Sequence, residues 1–169
     1  MKCLDRIDAE LRSVLDDFDS TPPMRRLLAG DIDLDHYKSF LRQNFHQLRE
    51  RPLLMALAVA RLRESREVVK LLHKRAVEEV GHDLLVLNDL EALGEDPAKV
   101  PDQSPLAETT AVLAFAHYQI QRLNPVGFIG NLYFMDFAPL YSSARNADAL
   151  KRIGVPPEAQ EPRSAGGVR

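Results

Sequence analysis

Glu79 and His82 stand three residues apart in the segment HKRAVEEVGHDLLVLNDL, a spacing that brings a carboxylate and an imidazole to one face of a helix. Helical bundles hold carboxylate-bridged iron or manganese with such pairs, because both side chains converge on one point in the core. At about 100° per residue, Glu79 and Asp83 fall in the sector of Leu72, Ala76 and Leu90, with His82 at its border and Glu78 outside it. Glu79 is therefore expected to point inward. A polar surface patch near the middle of a helix is the competing reading, since Glu-x-x-His also arises by chance.

Asp136 adds a second signal. It is the only charged residue between Arg122 and Arg145, set in the apolar sequence GFIGNLYFMDFAPLY. A buried lone carboxylate is costly unless it is neutralised, paired or bound to a metal. Two partners stay open: a core-facing arginine, or a metal shared with Glu79 and His82. Gly127 and Gly130 would let another backbone or a ligand come close.

The elements that must position these groups are all helical. Ile7, Leu11, Val14, Leu15 and Phe18 give the stripe of a first helix from Leu4, which Pro22 and Pro23 are expected to end, followed by a turn through Met24 to Leu28 and Gly30. Asp31, Asp33 and Asp35 offer caps for a second helix with Leu34, Tyr37, Leu41, Phe45 and Leu48 in its stripe. Pro52 is expected to kink or break that helix, with a further half running to about Leu62. A long helix from Arg66 to Leu93, capped by Ser65 and stopped by Gly94, carries Glu79 and His82. A loop from Gly94 to Pro105, a helix over Ala107 to Leu123, an apolar helix over Val126 to Tyr141 and a last one over Ser143 to Ile153 complete the pattern. The reading is an all-α bundle forming one domain over residues 1–157, with a disordered polar tail over 158–169.

Composition narrows the function. At 169 residues the chain fits one core and one site, and 45% hydrophobic with 28% charged residues is a globular balance. A formal charge of -3 argues against a nucleic-acid partner, which needs a basic face. Cys3 is the only cysteine, so neither an intrachain disulfide nor a thiolate metal cluster is available. Arg51 and Arg61 bracket an apolar run too short to span a membrane, and the N-terminal MKCLDRIDAEL lacks the apolar core of a signal peptide, so a cytoplasmic location is expected.

Taken together, LAGDIDLDHYKSFLRQNFHQLRERPLL, EEVGHDLLVLNDLEALG and NPVGFIGNLYFMD resemble the haem-oxygenase-like helical superfamily, and within it the iron-containing redox enzymes, from about Leu27 to Gly154. The resemblance implies a bundle that activates O2 at one or two non-haem irons (Fe) to act on a small molecule. Glu79 and His82 match the family's Glu-x-x-His, Asp136 falls where the family usually has Glu, and His46 is the metal ligand implied on the earlier helix. The family adds a His/Asp/His set on a later helix, whereas this sequence runs into a polar tail with no later histidine. A truncated member is implied, with its metal set half complete, the final family helix missing and apolar surface for a second subunit to cover as a homodimer.

Three functions follow. An iron-dependent oxidoreductase leads. A catalytically inactive binding or scaffold domain that keeps the fold would pair Asp136 with an arginine. A biliverdin-producing haem oxygenase would need a proximal histidine on the first helix, which has none, and His36 lies on the outer side of the next.

Overall fold

The computed structural model describes residues 3–62, 65–156 and 159. Among the described residues there are seven α-helices: α1 (Cys3–Asp19), α2 (Pro22–Ala29), α3 (Leu34–Arg61), α4 (Arg66–Glu79), α5 (His82–Ala92), α6 (Ala107–Arg122) and α7 (Val126–Arg152), with a 3-10 turn over Pro97–Lys99. Among the described residues there is no strand. No described helix is long and apolar enough to cross a membrane.

α3 is the axis of the bundle, packing against α4, α5 and α6. It begins where expected, because Asp33 caps it by accepting a hydrogen bond from the His36 amide at 2.8 Å. Contrary to expectation, Pro52 neither ends nor divides it; the helix runs on to Arg61. Tertiary packing on both sides of Pro52 overrides the local preference, since Leu54, Met55 and Ala58 beyond it are all buried.

Three other boundaries differ from the sequence reading. α1 ends at Asp19, ahead of Pro22 and Pro23 as expected, but the turn expected through Met24 to Leu28 is helix α2, which Pro22 starts: at its first position the missing amide proton costs nothing, and Gly30 closes it with φ 74°. The long helix expected over Arg66 to Leu93 is two helices, parted where Val80 is extended and Gly81 takes φ 91°. The last two expected helices are one, α7.

Two apolar clusters fill the bundle. One joins Tyr37, Leu41 and Phe45 of α3 to Val86 and Leu90 of α5 and to Val100, Val155 and Ala159. The other joins Leu54, Met55 and Ala58 of α3 to Leu72 of α4, Ala116 and Ile120 of α6, and Phe128 and Leu132 of α7. Arg51 lies on α3 between these stretches. Ala159 is only 3% exposed, and the rest of the expected tail, 158 and 160–169, lies outside the described residues.

α1 lies along α7: Arg12 stacks over the Phe137 and Tyr141 rings at 5.6 and 5.2 Å, and Asp8 accepts a hydrogen bond from the Tyr133 hydroxyl at 2.6 Å.

Candidate functional site

Glu79 is the last residue of α4 and His82 the first of α5, so the pair straddles a helix break instead of sharing one helical face. The left-handed Gly81 folds the chain back tightly enough that His82 Nδ1 still lies 3.0 Å from Glu79 Oε2. Glu79 is 3% exposed, as its angular position predicts. With the imidazole neutral, Nδ1–H donates to the carboxylate and Nε2 is left as the acceptor.

Asp136 comes from α7 to the same place, and two arginines join it there. Arg75 Nη2 donates to Asp136 Oδ2 at 2.6 Å and lies 3.7 Å from Glu79 Oε1. Arg51 Nη1 is 3.3 Å from Glu79 Oε2, and its Nη2 is 3.7 Å from Asp136 Oδ1. Each guanidinium therefore touches both carboxylates. Of the two partners left open for Asp136, the arginine is the one in place. The expectation of a fully buried Asp136 is corrected as well: its side chain is 47% exposed, because the apolar sequence around it does not make α7 buried on all sides.

Arg51 and Arg75 went unnoticed in the sequence, although their positions carried the signal. Arg75 precedes Glu79 by four residues, the helical spacing for an ion pair, and Arg51 shares its face with Leu54, Met55 and Ala58. Glu78, expected on the outer side, is 43% exposed and pairs with Lys74 and with Arg75 Nη1 at 3.4 Å.

His46 is buried, at 9% exposure, and is not a surface histidine. It lines a separate open cleft of about 380 Å³ with Arg49, Glu50, Thr110 and His117. Burial, and then the nearby Arg49 charge, push its pKa below the usual histidine value. No group of three or more His, Cys, Asp or Glu among the described residues is placed to hold a metal ion.

A small cavity of about 40 Å³ adjoins the centre, lined by Arg51, Gln47, Leu54, Phe128 and Met135 among others. It shares Val112, Ala116, Phe128 and Asn131 with a larger surface cleft of about 340 Å³ between α6 and α7. Gly127 lines that cleft, and a Cβ there would stand 2.3 Å from Gln119 Nε2, so what comes close is a side chain and not the backbone or ligand expected. Nothing lies within 4 Å of a Cβ at Gly130.

Carboxylate and imidazole donors are of the type that binds iron, and Glu79 with His82 would offer two at one point. The carboxylates, however, are already neutralised by two guanidiniums, so the residues fit iron in kind while the described pairing belongs to arginine. A haem site is not built: α1 carries no histidine, and His36 is exposed and hydrogen-bonded to Asp33 at 2.6 Å.

A crystal structure of a domain of unknown function with a haem oxygenase-like fold, from Shewanella denitrificans, superposes with a TM-score of 0.86 at 19% identity, over 94% of this chain and 69% of that one. No curated protein matches the sequence. The family model described as "Iron-containing redox enzyme" matches residues 38–161, well over half of the chain and every helix that builds the centre. The chain therefore belongs to the iron-containing redox enzyme family and has its haem-oxygenase-like, all-helical fold.

Proposed function

We propose that this chain is a cytoplasmic, oxygen-activating non-haem iron oxidoreductase acting on a small molecule, with Glu79, His82 and Asp136 at its reacting centre. The observation that supports this reading is the meeting of a buried carboxylate and an imidazole at 3.0 Å, facing the same guanidiniums as a carboxylate from α7. Iron bound there would be held by Glu79 and His82, with Asp136 available only on leaving Arg75, and would supply the oxygen-activating redox chemistry.

The chain's own residues do the rest. Without a metal, Glu79 accepts from His82 Nδ1–H and holds the imidazole against the carboxylate; a metal bound by both groups would take the place of that shared proton. The 40 Å³ cavity beside Arg51 has room for a molecule the size of water or a diatomic gas. The adjoining cleft, with Val112, Phe115 and Phe128 on its walls, suits an apolar body.

Anaerobic ferrous titration of the wild type against a Glu79→Ala/His82→Ala variant tests this. One iron per chain, lost in the variant, is the expected result. Negligible uptake by both would overturn it and leave the second reading, a binding domain without redox chemistry, which the Arg75 contact on Asp136 favours.

A further inference from the structure

We infer that α6 is the pairing surface for a second copy of this chain, docked antiparallel across a two-fold axis through Phe115. The inference needs no metal and does not rest on the iron reading above.

α6 packs on α3 and α7 with one face, where Thr109, Ala116 and Ile120 are buried. Its other face is open, yet it lacks the charges that a solvated helix face carries. Phe115, Tyr118 and Val112 are 62%, 54% and 51% exposed. From Ala107 to Arg122 the only Asp, Glu, Lys or Arg residues are Glu108 and Arg122, one in the first turn and one in the last. Glu108, Ala111, Phe115, Tyr118 and Arg122 recur at three- and four-residue steps, the spacing of a seam between two helices, and all five are exposed. An apolar stripe of this kind, rimmed by charges, marks a surface that meets another chain.

The symmetry of the stripe identifies that chain. Glu108 and Arg122 stand seven residues either side of Phe115, and Val112 and Tyr118 three residues either side. Turned about an axis through Phe115, a second α6 runs antiparallel to the first. Glu108 then meets Arg122 of the second copy, Arg122 meets its Glu108, Val112 meets its Tyr118, and the two Phe115 rings meet on the axis. Both ion pairs form and no like charges face each other, whereas a parallel copy would set glutamate on glutamate and arginine on arginine. Neither Glu108 nor Arg122 has an ion-pair partner within its own chain among the described residues. A surface that reads the same from both ends is what a two-fold dimer requires, and an unrelated partner has no reason to match it. Val112 and Phe115 also wall the cleft between α6 and α7, so the second copy roofs that cleft.

Sedimentation velocity of the full chain over a range of concentrations is expected to give a species of twice 19.0 kDa. Phe115→Asp should sediment as a monomer. Glu108→Arg and Arg122→Glu each turn both ion pairs into like-charge contacts and should weaken the dimer by about 10-fold. Glu108→Arg/Arg122→Glu should regain the wild-type affinity, and so should an equimolar mixture of the two single variants, as a heterodimer. Circular dichroism melts establish that each variant is folded. A wild type that stays monomeric would overturn the proposal, whether another partner takes this face or none does. A dimer that survives Phe115→Asp would place the interface elsewhere and overturn it as well. Single charge reversals without effect, or a double variant that does not recover, would overturn the antiparallel register.

Discussion

Around Glu79 each carboxylate meets two guanidiniums, whereas around His46, five residues before Arg51 on α3, the polar groups line an open cleft and His46 Nε2 is buried without a hydrogen-bond partner. Arg49, Glu50 and His117 make no salt bridge there among the described residues. Both regions put ionisable groups beside the same helix. The first keeps its charges by mutual neutralisation; in the second, burial favours the neutral imidazole. The first brings carboxylates from two helices and an imidazole together, and the proposed centre is therefore at Glu79 and not at His46.

The largest effect is expected from removing one side of the first arrangement. Glu79→Ala strands Arg51 beside the apolar clusters and should cost about 3 kcal/mol in urea unfolding at neutral pH. A cost below about 1 kcal/mol would mean that solvent already neutralises Arg51 and that the contrast between the two regions is false. Replacing both partners, as Arg51→Met/Glu79→Leu, should fall within about 1 kcal/mol of wild type, because no buried charge is left unpaired. Asp136→Asn, at an exposed end of the network, should cost under about 1 kcal/mol by the same measurement.

The smallest effect is on pH dependence at the cleft. The folded pKa of His46 lies below its ordinary 6.5, so between the two values the unfolded chain binds the proton more readily. His46 thus contributes stability above that ordinary value which declines as pH falls below it. In His46→Gln, urea midpoints measured at about pH 8 and about pH 5 should differ less than in the wild type. An unchanged difference would show that His46 is not held neutral by burial.

Much of this was legible in the sequence where residues act through local spacing. The stripe of Tyr37, Leu41 and Phe45, the Asp33 cap and the inward turn of Glu79 are all properties of a few consecutive turns. The bundle followed from such patterns, and its family from the resemblance of three longer segments. What was not legible depends on partners distant in the chain. Pro52 reads as a breaker until packing on both sides of α3 is known, and Met24 to Leu28 reads as a turn until α2 is seen to run through it. Asp136 reads as buried because its neighbours are apolar, yet Val126 and Tyr133 on the same helix are 51% and 37% exposed. The arginines were missed for a different reason. Charged residues in a helix are solvated far more often than not, so Arg51 and Arg75 gained meaning only once α3, α4 and α7 brought Glu79 and Asp136 together beside them.

The most direct test of the centre is a crystal structure grown anaerobically with ferrous iron. The account predicts metal bonded to Glu79 and His82, with Arg75 Nη2 withdrawn from Asp136. Arg75 still donating to Asp136, with no metal density at Glu79, would contradict it.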